Sequence, residues 1–494
     1  MEKFEVRAPF DGALLAEYSV SSDQDVANAF AQARSAQRLW AARSVRDRCR
    51  IMLRFHDLVL EHRNEALDLV QAETGKSRKD AHDEVLDVAL NARFYARSAP
   101  KLLRPKRHLG ALPLLIGVEQ VAHPKGVVGV IAPWNYPLTL AISDAIPALL
   151  AGNAIVLKPD QQTTTSAFWV RDLLVRAGVP SEVFAVVTGP GPSVGGAVVE
   201  LADYVMFTGS TATGRIIAKR CGERLIGCSM ELGGKNAMIV RSDVDIHVAA
   251  EIATRACFSN AGQLCISIER MYVNEVIAAD FVDLFIEYTT GLRLAAGLGW
   301  MADVGSLTGA AQLRRVTEQV DDAVAKGARV LCGGKPRPDL GPYFYEPTIL
   351  TDVPENATLY REETFGPVVA ITTVASDDEA IVRANDTEYG LNASVLTSDL
   401  AAGRRIARQL HAGTVNVNEG FAAAWGSTRA PMGGMGSSGL GRRHGEEGLL
   451  KYTEAQTIAT SRYLGFATPF GWSDEVWSDT LARALGWMKT FGVK

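Results

Sequence analysis

Residues 126–160 read GVVGVIAPWNYPLTLAISDAIPALLAGNAIVLKPD, and the division of this stretch decides the fold. Up to Leu157 its only charged residue is Asp144, and an apolar run of this length could cross a bilayer. Against a span, Pro133, Asn135, Pro137, Pro147, Gly152 and Asn153 interrupt it at turn-like intervals. The better division is a buried strand (GVVGVIA), a turn, a helix and a second buried strand (NAIVLK).

Downstream the same alternation continues. The helical stretch TTSAFWVRDLLVRAG is followed by short apolar runs, VFAVV and YVMFTG. Strands separated by helices are the signature of βαβ units and a mainly parallel, doubly wound sheet. A second series begins near Asn236, with NAMIVR, a helix through Ala249 to Ala256, RMYVN, and later PVVAITTV, ASVLT and TVNVN. Upstream, apolar residues recur at helical spacing from Asp23 onward (Val26, Phe30, Ala33, Trp40; later Val85, Val88, Phe94), and Pro100 is expected to end the last helix. In the tail, Trp477, Leu481, Ala484, Leu485, Met488 and Phe491 are expected on one helix face, docked on the body or on a neighbouring subunit.

At 494 residues the chain is too long for one core, so at least two domains are expected. The net charge of −5 gives no electrostatic reason to expect nucleic acid, and the short basic cluster Lys101, Arg104, Lys106 and Arg107 reads as a solvated loop. The six cysteines form no CxxC pair, which suits a reducing cytoplasm. The opening MEKFEVRAPF lacks the apolar stretch of a signal peptide.

Four segments carry chemistry. In Thr208-Gly-Ser-Thr-Ala-Thr-Gly214 a glycine turn joins strand YVMF to a helix, so backbone N–H groups could meet a pyrophosphate. The spacing is GxxxxG, and a tight turn with no ligand fits it equally well. Cys265 ends Phe258-Ser-Asn-Ala-Gly-Gln-Leu-Cys265, where the preceding helix is expected to break at Asn260-Ala261-Gly262 and leave the thiol in an accessible loop. An isolated cysteine would more often be a small buried hydrophobe. As a nucleophile it needs help, because an ordinary thiol is mostly protonated at neutral pH. Glu231, beside Gly233-Gly234, could be a general base, or a structural carboxylate paired with Lys235. Asn135, between Pro133 and Pro137, could aim its amide at an oxyanion or simply close a turn.

These residues carry a family resemblance. PWNYPL, GNAIVLKPD, FTGSTATG, MELGGKN, FSNAGQLC, EETFGPVV and PMGGMGSSGLG occur in the order found in the aldehyde dehydrogenase superfamily, which the chain resembles to about Thr457. The resemblance implies an α/β fold with a Rossmann-like cofactor domain (1–111 and 126–233), an α/β catalytic domain (234–430) and a small β oligomerisation arm (112–125 and 451–460). Residues 461–494 form a separate amphipathic tail. It implies Cys265 as nucleophile, Asn135 and the Cys265 N–H as oxyanion hole, and Glu231 as the base that hydrolyses a thioester. Lys158 matches a cofactor-ribose ligand, Ser210 a pyrophosphate ligand and Glu363 a nicotinamide-ribose ligand, with Phe365 near the ring. Trp134, Gln161, Gly209, Gly214, Leu232 and Gly233 complete the cofactor set. No metal is expected, and dimers or tetramers are the family norm.

Two departures bear on specificity. NAD-preferring members usually carry Glu where Gln161 stands, so NADP⁺ is expected to be accepted and preferred over NAD⁺. Gly436 replaces a common Lys in the late glycine-rich loop. The phrases KPDQQT, SNAGQLC and KGVVGVIAPWNYPL are similar to those of actinobacterial-type succinate-semialdehyde dehydrogenases. Two arginines expected in that class are replaced by Ser143 and Ser259, which offer hydroxyls but no charge. Ser267 stands where a second, redox-switch cysteine could be. The substrate funnel is expected to comprise Tyr136, Leu140, Leu264, Ile266, Phe421 and Trp425, with Arg429 as the cation for a substrate carboxylate. Succinate semialdehyde is the specific expectation. A broad aliphatic or aromatic aldehyde enzyme is the alternative, ahead of a membrane-associated fatty-aldehyde enzyme or a non-catalytic member. Retention of Glu231 argues against a thioester passed to a thiol, and retention of both Cys265 and Glu231 against a dead member.

Overall fold

The computed structural model describes residues 2–111, 116–461 and 467–492. Its first sheet has the order Gly439–Leu440, Gly227–Glu231, Tyr204–Thr208, Val127–Ile131, Ala154–Lys158, Phe184–Val186. All neighbours are parallel except the first pair. Every residue of Val127–Ile131 and Ala154–Lys158 is buried, as expected of parallel strands covered on both faces. Between them lie the short helices Pro137–Ile142 and Ala145–Ala151, also buried throughout. Among the described residues no helix is long and apolar enough to cross a membrane.

The second sheet has seven strands, in the order Arg329–Cys332, Thr348–Thr351, Val368–Val374, Ile268–Asn274, Asn236–Val240, Asn392–Leu396, Thr414–Val417. Only the first pair is antiparallel. A third, antiparallel sheet joins Lys106–Leu109, Ile116–Pro124 and Thr453–Ser461. Residues 112–115 of the expected arm lie outside the described residues.

Register aligns the chemistry. Ile131 pairs with Lys158 and with Phe207, and Thr208 pairs with Glu231, so the motif residues gather at the carboxyl ends of the parallel strands. That is where open α/β sheets bind ligands.

Two expectations about helices need correction. Pro100 does not end its helix, which runs Arg78–Leu102. Proline forfeits one backbone donor, and the helix continues only two residues beyond it. In the tail, Asp474–Thr490 is helical as expected, and Trp477 is buried with Leu481, Ala484 and Met488 partly covered. Leu485 and Phe491, expected on the same face, are 61% and 79% exposed.

Candidate active site

The two large sheets meet at a cleft of about 690 Å³. Of the expected site residues, Trp134, Asn135, Gly209, Ser210, Glu231, Leu232, Gly233, Cys265, Glu363 and Phe365 line it together. Pro133, Thr208, Gln312 and Arg315 complete the wall. Ser210 caps the helix Thr211–Glu223, its hydroxyl accepting from the Thr213 N–H, so the N-terminus of that helix opens onto the cleft. Free N–H groups there suit an anion.

Three expected cofactor residues lie outside the lining. Lys158 is buried at the end of its strand, and desolvation holds its ammonium below the usual lysine range. Gln161 follows in the one-turn helix Gln161–Thr163. Gly214 faces Leu232: a side-chain carbon there would sit 2.4 Å from Leu232 Cδ2, so this glycine serves close packing of helix against loop.

The helix before Cys265 breaks where the sequence led one to expect, and the loop that follows is strained. The helix Ile246–Phe258 stops, and Asn260, Ala261 and Gly262 all adopt positive φ (52°, 52° and 69°). Only glycine does so without steric cost. At Gly262 a side-chain carbon would also lie 2.0 Å from the Gly366 carbonyl oxygen.

Asn135 is fixed from several sides. Its Nδ2 donates to the Gln263 carbonyl at 3.0 Å, which leaves the second amide hydrogen for the cleft. Asn260 Nδ2 donates to the Asn135 carbonyl at 3.1 Å and to the Gln263 carbonyl at 3.0 Å.

Glu231 is buried, and its Oε1 has no hydrogen-bond partner among the described residues. Burial, with a smaller contribution from Asp144 and against Arg443, Lys451 and Arg442, pushes its carboxyl up from 4.5 to about 7. Lys235 does not pair with it: Lys235 Nζ donates to Glu269 Oε2 at 2.6 Å. Glu269 in turn accepts from the Thr364 and Phe365 N–H groups, holding Phe365 at φ 56° and edge-on to Trp134, with ring centroids 5.5 Å apart. The late glycine-rich loop covers Glu231. Gly439 pairs with it in the sheet, and a side chain at Gly433 would meet Glu231 Oε1 at 3.2 Å.

Burial, then the nearby Glu231 and Glu363, push the Cys265 thiol up to about 12. Glu363 is itself lifted to about 8 by burial and by Glu269, although it accepts from the Gly234 N–H at 2.7 Å. Three acidic groups therefore share one cleft, and none carries its charge easily. A cation bound among them would favour ionisation of all three.

Tyr136, Leu140, Leu264, Ile266 and Phe421 are buried in one apolar cluster, with Trp425 and Cys265 packed against it. Arg429 is exposed and outside the cleft lining. The two serines cannot serve as spare carboxylate donors. Ser143 Oγ donates to Asp87 Oδ2 at 2.6 Å and Ser259 Oγ to the Arg255 carbonyl at 2.9 Å. Sequence reasoning missed Lys76, Glu84, Asp144 and Arg443. Glu84, beside Ala81, Val85 and Val88, and Asp144, the lone charge of an apolar run, carried a signal, a charge set on a buried face; Lys76 and Arg443, in polar stretches, carried none. Among the described residues no group of three or more His, Cys, Asp or Glu could hold a metal.

Comparison with known proteins gives concordant results. The family model described as "Aldehyde dehydrogenase family" matches residues 1–458. A Mycolicibacterium smegmatis protein with the provisional name succinate-semialdehyde dehydrogenase [NADP(+)] is 57% identical over 476 residues, 96% of this chain and 92% of that protein. The mitochondrial succinate-semialdehyde dehydrogenase of Oryza sativa is 34% identical over 92% of this chain and 85% of that protein. Among solved structures, an E. coli NADP-dependent enzyme superposes with a TM-score of 0.89 at 34% identity, covering 93% of this chain and 95% of its own.

Proposed function

The chain belongs to the aldehyde dehydrogenase family, and from that premise we propose that Cys265, Asn135 and Glu231 carry out the oxidation of succinate semialdehyde to succinate with NADP⁺. The observation that carries this reading is the convergence of a nucleophile, an amide with a spare donor and a carboxylate with an unpartnered oxygen in one cleft.

The cleft suits a dinucleotide: a helix N-terminus opens onto it at Ser210, Glu363 stands ready for a ribose hydroxyl, and the Trp134–Phe365 pair offers an aromatic wall. NAD(P)⁺ held there supplies the hydride acceptor and a cationic ring. Cys265 loses its thiol proton to solvent, the thiolate attacks the aldehyde carbon, and the oxyanion that forms is held by Asn135 Nδ2 and the Cys265 N–H. Loss of hydride leaves an acyl thioester on Cys265. Glu231 then takes a proton from water, the resulting hydroxide adds to the thioester, and the thiolate leaves with the acid as product.

NADP⁺ preference rests on neutral Gln161, which presents no charge against a 2′-phosphate, with Lys158 three residues before it at the end of its strand. The substrate assignment rests on the names of the relatives, with Arg429 as carboxylate ligand. A second reading, a broad apolar aldehyde enzyme, draws on the uncharged cluster around Tyr136, Leu140, Leu264, Ile266 and Phe421. Cofactor-binding (1–111, 126–233) and catalytic (234–430) domains are proposed, a reading supported by the two sheets, although Gly439–Leu440 also joins the first. A homodimer or homotetramer is proposed through the exposed strand Thr453–Ser461, which lies at one edge of its three-stranded sheet. Six free cysteines suit a reducing cytoplasm. A spectrophotometric panel of aldehydes with NADP⁺ and NAD⁺ tests the function. Higher kcat/KM for an uncharged aldehyde of similar length than for succinate semialdehyde would replace the first reading by the second.

A further inference from the structure

Beneath the turn that presents Asn135 lies a charged pair with no access to solvent. Lys76 Nζ donates to Glu84 Oε1 at 2.7 Å, and neither side chain has any exposed surface. The same ammonium donates to the Asn135 main-chain carbonyl at 2.6 Å and lies 3.9 Å from the centroid of the Tyr136 ring. Glu84 is committed on its other side. Its Oε2 accepts from the Leu138 and Thr139 N–H groups at 2.8 and 3.1 Å, the first free donors of the helix Pro137–Ile142. Lys76 comes from the turn just before the helix Arg78–Leu102, which carries Glu84.

Taking both charges out of water is costly, and a pair of this kind often contributes little net stability. Here its partners give it another consequence. The three contacts of one ammonium hold the peptide after Asn135, the Tyr136 ring and, through Glu84, the start of the next helix in one arrangement. Asn260 grips the same carbonyl from the nucleophile loop, so the chain before Cys265 and the turn bearing the amide share a single acceptor.

We propose that Lys76, held by Glu84, is a positioning residue for the oxyanion amide: it fixes the Asn135 main chain so that the side-chain Nδ2 stays aimed at the oxygen on the carbon attached to Cys265. The inference rests on the reading of Asn135 as oxyanion donor. A displacement of about 1 Å in a catalytic group can cost about 100-fold in rate, so release of this carbonyl should slow acyl formation by about 10- to 100-fold.

The test is a double-mutant cycle on the full-length protein, read as the rate of the first turnover of NADPH absorbance after mixing with succinate semialdehyde. Lys76→Met/Glu84→Gln removes the pair without leaving a lone buried charge. Asn135→Ala removes the amide, and the combination closes the cycle. Expected is a slow burst in each variant, with the pair substitution adding less than about twofold once Asn135 is gone. The rate of Cys265 alkylation by iodoacetamide should stay within about twofold of wild type, since the thiol's surroundings are not the target. If the paired substitution does not fold, Lys76→Arg, which keeps the charge but relocates the donors, takes its place under the same criterion. Multiplicative losses in the combined variant, or an unchanged burst without the pair, would overturn the positioning role while leaving Asn135 in place. An unchanged burst in Asn135→Ala alone would instead overturn the oxyanion assignment and this inference with it.

Discussion

Replacement of Glu231 by glutamine should stabilise the protein while nearly abolishing turnover. The carboxyl is buried, with one oxygen unpartnered, and ionises only near pH 7, against an ordinary value of 4.5. That lift corresponds to about 3 kcal/mol. The sign follows from proton binding. Between pH 4.5 and 7 the folded state holds a proton that the unfolded chain releases, so stability falls as pH rises through this window and stays low above it. Glu231→Gln carries no such charge. It should exceed wild-type stability by up to about 3 kcal/mol above pH 7 and match it near pH 4. In catalysis the same window sets the base: wild-type kcat, where deacylation limits it, should rise with pH along a limb centred near 7. The variant should give a full first-turnover burst of NADPH followed by turnover reduced about 10²- to 10⁴-fold. Thermal melts at pH 5 and pH 8, together with stopped-flow absorbance, read both effects. Loss of the burst along with turnover, or lower stability at pH 8, would refute the reasoning.

Gln161→Glu sets a carboxylate against the 2′-phosphate. Two unit charges about 4 Å apart cost between about 1 and about 4 kcal/mol at effective dielectrics of about 80 and about 20. The kcat/KM ratio of NADP⁺ to NAD⁺ should fall at least about tenfold, and an unchanged ratio would show that other residues choose the cofactor. Arg429→Ala should lower kcat/KM for succinate semialdehyde about tenfold, as the loss of a charge-assisted hydrogen bond implies, but not that for an uncharged aldehyde of the same length; equal effects on both would remove Arg429 from the substrate site. Gly262→Ala places a methyl 2.0 Å from the Gly366 oxygen at φ 69°. It should cost about 3 kcal/mol or more, measurable as a lowered melting temperature, and a wild-type melting temperature would contradict the packing described.

The two-sheet architecture was legible because fully buried parallel strands leave an unbroken apolar record, as in Val127–Ile131 and Ala154–Lys158. The loop before Cys265 was legible for a local reason, since Asn260 and Gly262 both favour the conformation in which a helix ends. What the sequence did not disclose was pairing across long separations. Lys76 reaches Asn135 over 59 residues, Asp144 pairs with Arg443 over 299, and no periodicity encodes either partner. The serines illustrate the same limit. Ser143 and Ser259 looked like spare donors, yet a hydroxyl is spent by whichever acceptor folding brings to it, here Asp87 and the Arg255 carbonyl. Pro100 misled by two residues: the helix runs on to Leu102 although proline removes one of its backbone donors.

The most direct test of the central claim is intact-protein mass spectrometry of Glu231→Gln mixed with succinate semialdehyde and NADP⁺, followed by peptide mapping. The account predicts a mass gain of one succinyl group, located on Cys265, in step with the NADPH burst, and no gain in the Cys265→Ala/Glu231→Gln protein. NADPH formation without a covalent adduct, or an adduct on Cys257 or any other residue, would contradict it.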